Sequence, residues 1–422
     1  MSIGADPLPQ HYLTDDEPGI GGRLKERPED FIVEETPLYE PCGAGEHLYL
    51  FIEKRGRPTL DVVRDLARAF HLSTDAVGYA GMKDKQAITR QLVSLHTADE
   101  SPLERLDLRG VKVLWSDRHT NKLRLGHLRS NRFAIRMRGV EPSEAPRVKR
   151  ILDRLERHGA PNYIGEQRFG FYLNNHEIGR RFLQQDWEGM TRLMLGNADE
   201  HDGPDAASRR LFDEGDFQAA ADRLPTSRPN ERRVAVQLAK GRSHEEAVMS
   251  MSRPALLFFI SAFQSGIFNR VLTHRLEQIG IDQLIDGDLA WKHDSRAVFA
   301  VGQAELEGDV LARRLAGFEV SPSGPMWGYD MIRPRGAVGD IEMATLLETE
   351  VEPEAFVTPP HHVKGARRPL RMPITDSSVE AGADEFGPYI LVRFTLPRGS
   401  FATTVLREIM KTPPRSRPWG AD

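Results

Sequence analysis

Cysteine is nearly absent from this sequence. Of 422 residues, only residue 42 is a cysteine. A single thiol cannot form an intrachain disulfide, and it excludes a metal site built from several thiolates. Such a composition is typical of proteins in a reducing cytosol, so we expect a cytoplasmic location.

Long hydrophobic segments are also missing. The longest apolar run, from Ala255 to Ile260, is far shorter than the roughly 20 residues that a membrane span needs, and we interpret it as part of a buried helix. The acidic N-terminal stretch contains no apolar segment and does not resemble a secretory signal. We therefore expect no membrane association.

Several common catalytic motifs are absent. The chain contains no G-x-x-x-x-G-K-[ST], no H-E-x-x-H and no G-x-S-x-G, so nucleotide hydrolysis, zinc peptidase and serine hydrolase chemistry lack support. His176-Glu177 and His244-Glu245 have no second histidine at metal-binding spacing. We expect no metal site.

Positive charge is concentrated in one segment of an acidic chain. The net charge is −5, yet the stretch from Arg118 to Val140 contains seven Lys or Arg and no acidic residue. Within it, Phe133, Ile135 and Met137 alternate with basic residues, which predicts a strand with arginines 132, 136 and 138 on its polar face. Such a face suits a polyanion.

The order of hydrophobic patterns predicts two domains, as the chain length also does. Strand and helix patterns alternate first, a mostly helical pattern follows, and strand character returns near the end. We expect the strand beginning at Phe31 to pair antiparallel with the strand that begins at His47. Thr59 is predicted to cap a helix, and a hairpin is predicted around Leu289 to Val301.

The richest stretch chemically is Gly78-Tyr79-Ala80-Gly81-Met82-Lys83-Asp84-Lys85-Gln86-Ala87-Ile88-Thr89-Arg90-Gln91. Two glycines are expected to allow a tight turn, which presents Asp84 between Lys83 and Lys85. Such a carboxylate could be a nucleophile or general base on a polyanionic substrate. The charge pattern alone favours a solvated polar turn.

This run resembles the signature of the TruD family of tRNA pseudouridine synthases, A-G-x-K-D-[KR]-x-A-x-T-x-Q. By that resemblance, Asp84 is the single catalytic aspartate. Three further runs resemble the family's motifs: Pro28-Glu29-Asp30-Phe31, Asn162-Tyr163-Ile164-Gly165-Glu166-Gln167-Arg168-Phe169-Gly170 and Leu396-Pro397-Arg398-Gly399-Ser400-Phe401-Ala402-Thr403.

The resemblance implies roles for individual residues. Phe31 would line the uridine pocket, Asn162 would contact substrate and help place Asp84, and Phe401 would contact substrate. Lys83 would pair with Asp84 or bind phosphate, and the basic strand would contact the tRNA backbone. Ile164 departs from the family, which often has an aromatic residue there.

The resemblance also implies an architecture and an activity. We expect an α+β fold, with a mixed, largely antiparallel sheet in a pseudouridine synthase domain formed by residues 1–170 and 371–422. Residues 171–370 would form an inserted, mostly helical TRUD domain. The expected activity is isomerisation of uridine to pseudouridine in tRNA, at position 13, without a cofactor or an obligate protein partner.

Two alternatives were weighed against this assignment. A non-catalytic RNA-binding protein or RNA chaperone would have no need of a lone carboxylate facing phosphates, so Asp84 disfavours it. Uridine methylation would need a suitably placed cysteine and a methyl-donor loop. The single cysteine lies outside any signature run, and Gly19-Ile20-Gly21-Gly22 follows no strand-like pattern.

Overall fold

The computed structural model of the protein describes residues 7–8, 11–200, 205–357 and 362–412. These residues form two compact units. The sheet unit contains residues 13–160 and 372–412, and the helical unit contains residues 161–371 with residues 7–8 and 11–12. The predicted domains instead divide after residues 170 and 370, and their assignment remains a prediction. Parts of them, residues 1–6, 9–10, 201–204, 358–361 and 413–422, lie outside the described residues.

The strands are numbered in chain order. They are β1 (Phe31–Pro37), β2 (His47–Arg55), β3 (Val77–Tyr79), β4 (Ile88–His96), β5 (Val111–His119), β6 (Leu128–Arg138), β7 (Ala160–Pro161), β8 (Leu289–Lys292), β9 (Val298–Ala300), β10 (Val320–Met326), β11 (Ala366–Pro369), β12 (Arg371–Met372), β13 (Thr375–Asp384) and β14 (Gly387–Pro397).

The α-helices are numbered in the same way. They are α1 (Thr59–Ala69), α2 (Ala145–His158), α3 (Asn175–Leu183), α4 (Trp187–Leu195), α5 (Ala206–Asp213), α6 (Phe217–Arg223), α7 (Pro229–Ala239), α8 (His244–Met249), α9 (Arg253–Gln278), α10 (Gln303–Leu306), α11 (Asp309–Ala316), α12 (Gly336–Leu347) and α13 (Ala402–Met410).

An eight-stranded sheet dominates the sheet unit. Its order is β13-β14-β6-β1-β4-β2-β5, with β3 paired to β4. Only the β1–β4 pair among these described strands is parallel, and the remaining pairs are antiparallel. The expectation of a mixed, largely antiparallel sheet in an α+β fold is confirmed.

The predicted antiparallel pairing of β1 with β2 is wrong. Strand β4 lies between them, paired parallel with β1 at Ile32↔Ile88 and antiparallel with β2 at Leu50↔Val93. Residues 91–95 of β4 are all buried, as expected for a central strand covered on both faces. Neighbours in sequence are therefore separated in the sheet by a strand from later in the chain.

Helices cover two regions of this sheet. The apolar side of α1 packs on β2, β3 and β4, with the buried residues Val62, Val63, Leu66, Leu48, Leu50, Ile52, Val93 and Leu95. Helices α2 and α13 pack on β1, β6 and β14, with the buried residues Val148, Ile151, Leu152, Leu155, Val405, Ile409, Phe133, Ile135, Ile390 and Val392. The helical spacing of these positions explains why the segments fold as amphipathic helices.

The helical unit carries most of the α-helices, as expected. It also contains a four-stranded sheet in the order β11-β10-β8-β9. Strands β8 and β9 form an antiparallel pair, Leu289↔Ala300 to Trp291↔Val298, which confirms the predicted hairpin.

Helix α9 is the central helix of this unit. Its 26 residues are long and apolar enough to cross a membrane, but 72% of its apolar window is buried inside the protein. Its buried residues Leu256, Ile260, Phe263, Ile267 and Val271 pack with side chains from α3, α4, α7 and α8. The helix is therefore a core helix, which agrees with the sequence-based interpretation of the apolar run.

Candidate active site

The predicted catalytic run spans β3, a loop of residues 80–87 (the signature loop) and the start of β4. The expectation that its two glycines form a tight turn is wrong, because Gly78 is part of a strand and Gly81 lies outside any hydrogen-bonded turn. Gly78 instead lies in β3, where a Cβ atom would be 2.3 Å from the Leu123 carbonyl oxygen. The glycine is required for a close approach of two backbone segments.

Thr59 and Gln91 hold the backbone of the signature loop. The Thr59 hydroxyl accepts a hydrogen bond from the Lys83 backbone N–H at 3.0 Å and donates to the Gln91 amide oxygen at 3.2 Å. The Gln91 amide nitrogen then donates to the Gly81 carbonyl at 3.1 Å. Thr59 is the first residue of α1 and makes no side-chain cap bond there, so its predicted capping role is wrong.

Lys54 holds the same loop from β2. Its fully buried ammonium donates hydrogen bonds to the backbone carbonyls of Arg57 at 2.7 Å, Asp84 at 2.8 Å and Lys83 at 3.4 Å. Burial lowers the pKa of Lys54 to about 8, opposed by the negative charge of Asp84 and aided by the positive charge of Lys83. The position of the Asp84 backbone thus depends on a buried cation.

Lys83 forms a buried ion pair with Glu35 of β1. The Nζ–Oε2 distance is 2.6 Å, and the side chains are 7% and 0% exposed. Burial raises the pKa of the Glu35 carboxyl, while the Lys83 ammonium opposes that shift. The sequence placed this ammonium beside Asp84 or a phosphate, whereas the structure gives it Glu35 as its partner.

The carboxylate of Asp84 is held by Lys25, which the sequence did not identify. Lys25 Nζ donates to Asp84 Oδ2 at 2.8 Å, and the side chains are 13% and 43% exposed. The same ammonium lies 4.5 Å from the centroid of the Phe31 ring. Lys25 has a φ of 55°, a conformation unusual for a residue with a side chain, which often accompanies a functional constraint.

Phe31 is thus brought to the same place as Asp84. Its side chain is 2% exposed and packs edge-to-face on Phe133 at 6.3 Å. Lys25 bridges the two, since one ammonium contacts both the ring and the carboxylate. The ring forms an apolar wall near the carboxylate, with most of its surface already covered by protein.

The C-terminal run is anchored to the same region. Arg398 donates to the Gly126 carbonyl at 2.6 Å, and the Gly126 N–H donates to the carbonyl of Ala80, which begins the signature loop, at 2.7 Å. Phe401 immediately precedes α13, and its ring is 49% exposed. An exposed aromatic ring on an anchored segment can stack on a base.

Asn162 lies in the helical unit and is 5% exposed. Its amide nitrogen donates to the Pro369 carbonyl at 2.8 Å, and its amide oxygen accepts from Arg368 at 2.6 Å. Its predicted role in placing Asp84 stays a prediction. Ile164, which stands where the TruD family often has an aromatic residue, is 7% exposed.

The basic face predicted for β6 is only partly present. Arg132 is exposed, but Arg138 is 2% exposed and forms ion pairs with Asp30 at 2.7 Å and with Asp384 at 2.9 Å. These bonds lower the pKa of the Asp384 carboxyl to about 2. Arg138 is therefore a structural residue that joins β6 to the segment before β1 and to β13.

No group of three or more His, Cys, Asp or Glu within the described ranges is arranged to hold a metal ion. The groups gathered around Asp84 are cations, an apolar ring and backbone carbonyls. This arrangement can hold an anionic carboxylate beside the ring of a base.

Comparison with known proteins gives consistent matches along both units. A family model described as tRNA pseudouridine synthase D (TruD) matches residues 8–409. The tRNA pseudouridine synthase D of Geobacter sulfurreducens is 43% identical over 414 residues, covering 97% of this chain and 99% of that protein. The protein of the same name from Geobacter metallireducens is 43% identical over 405 residues, covering 95% and 98%.

A solved structure also matches. The crystal structure of a protein from Methanosarcina mazei, assigned to tRNA pseudouridine synthase D (TruD), gives a TM-score of 0.84 at 29% identity. The match covers 97% of this chain and 98% of the other. The similarity is therefore one of whole chains and extends well beyond the signature run.

Proposed function

The chain belongs to the TruD family of tRNA pseudouridine synthases, and on that premise we propose that Asp84 is its catalytic residue. The enzyme isomerises uridine to pseudouridine in tRNA. The observation that supports the proposal is the contact between Lys25 and Asp84, which leaves one carboxylate oriented, charge-paired and 43% exposed on the signature loop.

The reaction exchanges two bonds of one nucleotide. The N1–C1′ glycosidic bond breaks, the uracil ring turns, and a C5–C1′ bond forms. The proton on C5 is released and N1 gains a proton, so the atoms balance and no oxidant or energy source is consumed. Asp84 supplies the carboxylate as nucleophile or general base.

The surrounding residues have supporting roles in this proposal. Lys25 orients the carboxylate through a charge-assisted hydrogen bond. Phe31 and Phe401 contact the base that leaves the RNA fold, and Asn162 contacts the substrate. Lys83 keeps the signature loop in place through Glu35, and any direct contact with phosphate remains a prediction.

We further propose uridine 13 of tRNA as the target and the cytoplasm as the location. The target follows from membership of the family, and the location from the single cysteine. Both stand independently of the assignment of Asp84.

The test is tritium release from tRNA that carries 5-tritiated uridine, followed by mapping of the modified position. The native protein and Asp107→Asn, which alters another exposed aspartate of the sheet unit, should release tritium, and the product should map to position 13. Asp84→Asn should bind tRNA without release. Equal release by Asp84→Asn would refute the role of Asp84, and binding without release by every protein would favour a non-catalytic RNA-binding protein.

A further inference from the structure

Two arginines of the helical unit, Arg168 and Arg368, form no ion pair with a carboxylate in the part of the chain that the structure describes. Arg168 lies in the 3-10 helix Glu166–Arg168, and Arg368 lies in β11. Within residues 7–8, 11–200, 205–357 and 362–412, no acidic residue shifts the pKa of either guanidinium, whereas the charge of Arg168 opposes that of Arg368. Their neighbour Arg367, by contrast, pairs with the Glu342 carboxylate at 2.6 Å.

Arg368 is held in a fixed orientation. Its Nη2 atom donates to the Asn162 amide oxygen at 2.6 Å, and its Nε and Nη2 atoms reach the Asn162 carbonyl at 3.4 Å. Its guanidinium carbon lies 5.5 Å from the centroid of the Phe268 ring. These contacts leave part of the guanidinium's donor set unused.

Arg168 is held by a ring on α9. Its guanidinium carbon lies 5.4 Å from the centroid of the Phe258 ring, which is 40% exposed. The structure shows no hydrogen bond from the Arg168 side chain within the described residues. Its planar donors are thus available on a side of the unit where an aromatic ring reaches solvent.

The positive charges of Arg168 and Arg368 are partly removed from water and repel each other. Burial lowers the pKa of Arg168, and burial together with the nearby charge of Arg168 lowers the pKa of Arg368 to about 10. Desolvated like charges cost free energy unless a counter-ion compensates them. Such a cost is commonly retained where it serves binding.

We propose that Arg168 and Arg368 together bind one backbone phosphate of the RNA, beside the nucleotide that Asn162 contacts. The inference rests on the proposed function, because the ligand is part of the same substrate. A phosphate fits since guanidinium groups bind its oxygens in a bidentate, charge-assisted geometry. The site lies entirely within the helical unit and uses no residue of the signature loop.

The test measures binding separately from chemistry. The dissociation constant of unmodified tRNA is measured over a range of KCl concentrations, with Asp84→Asn as the parent so that no turnover occurs. Arg168→Gln is compared with Arg232→Gln, which removes an exposed arginine from α7 of the same unit. Arg168→Lys tests whether charge alone suffices.

Arg168→Gln should weaken binding about tenfold near 0.15 M salt, and the slope of log K against log salt should become shallower by about 0.7 to 0.9. Arg168→Lys should keep the slope but bind about threefold more weakly, because it lacks the planar fork. Arg232→Gln should change neither value beyond about twofold. The melting temperature of Arg168→Gln should not fall, because its loss removes a like charge.

Equal binding and equal salt slopes for Arg168→Gln and Arg232→Gln would overturn the phosphate site. So would a lower melting temperature with unchanged binding, which would assign Arg168 to packing on Phe258. Tritium release by the otherwise native Arg168→Gln protein at saturating tRNA separates the two proposals. Release with unchanged binding removes only the phosphate site, whereas absence of release from the native protein removes the proposed function itself.

Discussion

Lys54 offers a direct test of how the signature loop is supported. Its buried ammonium donates to three backbone carbonyls, including that of Asp84, and burial lowers its pKa to about 8. Deprotonation removes one of three donors and the positive charge behind Asp84, the proposed catalytic residue. We therefore expect the rate to fall as the pH rises through about 8.

Deprotonation of Lys54 with rising pH should also increase the free energy of unfolding. The direction of this change follows from the pKa values of Lys54 in the unfolded and the folded chain. In the unfolded chain a lysine keeps its proton up to the ordinary pKa near 10.5, whereas folded Lys54 loses it near 8. Between these values the unfolded state binds more protons, so the free energy of unfolding increases with pH. The full shift corresponds to at most about 3 kcal/mol. Activity and stability should therefore change in opposite directions.

The assay is single-turnover tritium release at saturating tRNA from pH 6.5 to 9.5, with urea unfolding over the same range. The native protein should lose about tenfold in rate between pH 7 and 9, following the charged fraction of Lys54. Lys54→Met should be slower at pH 7, because three carbonyls lose their donor, and should lack this alkaline decline. That variant retains the other titratable residues around this loop, which are Lys25, Glu35, Lys83 and Asp84.

A decline of the same size in Lys54→Met would refute the assignment to Lys54. A flat native profile up to pH 9.5 would equally contradict the reasoning. If stability fell while activity fell, general alkaline unfolding would explain the decline, and the loop-specific account would be wrong.

Three further substitutions test neighbouring contacts. Lys25→Met should lower single-turnover tritium release about 10- to 100-fold with little change in tRNA affinity, because it removes a charge-assisted bond from the proposed catalytic carboxylate of Asp84. An unchanged rate would contradict this role. Glu35→Gln should lower the free energy of unfolding in urea by about 3 to 5 kcal/mol, because it leaves the Lys83 ammonium buried without its counter-ion, and adding Lys83→Met should restore most of the loss. Gly78→Ala should lower the free energy of unfolding in urea by about 2 kcal/mol or more, because the methyl group would lie 2.3 Å from a carbonyl oxygen. The control Gly308→Ala should be nearly neutral in the same measurement, because its methyl group would meet nothing within 4 Å.

Local patterns were sufficient for several elements of the fold. Helix α2 buries Val148, Ile151, Leu152 and Leu155 at helical spacing, and it ends at Gly159 with a positive φ of 84°. The hairpin of β8 and β9 was also visible from its sequence. The order of the strands could not be predicted, because β4 lies between β1 and β2 although it comes later in the chain. The alternation of hydrophobic residues does not encode which strands are neighbours.

The same limit applies to the candidate site. Asp84 and Phe31 are recognisable because each lies in a run with its own pattern. Lys25 and Lys54 are not, since an isolated lysine has no local signal, and their roles arise only when β1, β2 and the signature loop meet. For Arg138 the signal in the sequence was misleading instead of absent. Its place in a basic stretch predicted an exposed side chain, whereas the side chain is buried and pairs with Asp30 and Asp384, which are distant in sequence.

The signature run itself explains why a sequence match is so informative here. Four of its eight fixed positions, Ala80, Ala87, Thr89 and Gln91, are at most 2% exposed, whereas the variable positions Met82, which is 69% exposed, and Gln86 reach towards solvent. Half of the fixed positions therefore record how the loop is packed and hydrogen-bonded, whereas Asp84 keeps a carboxylate that is 43% exposed. A sequence that keeps the pattern keeps the loop's own part of this support, namely Lys83 and Gln91, whereas their partners Glu35 and Thr59 lie outside the run.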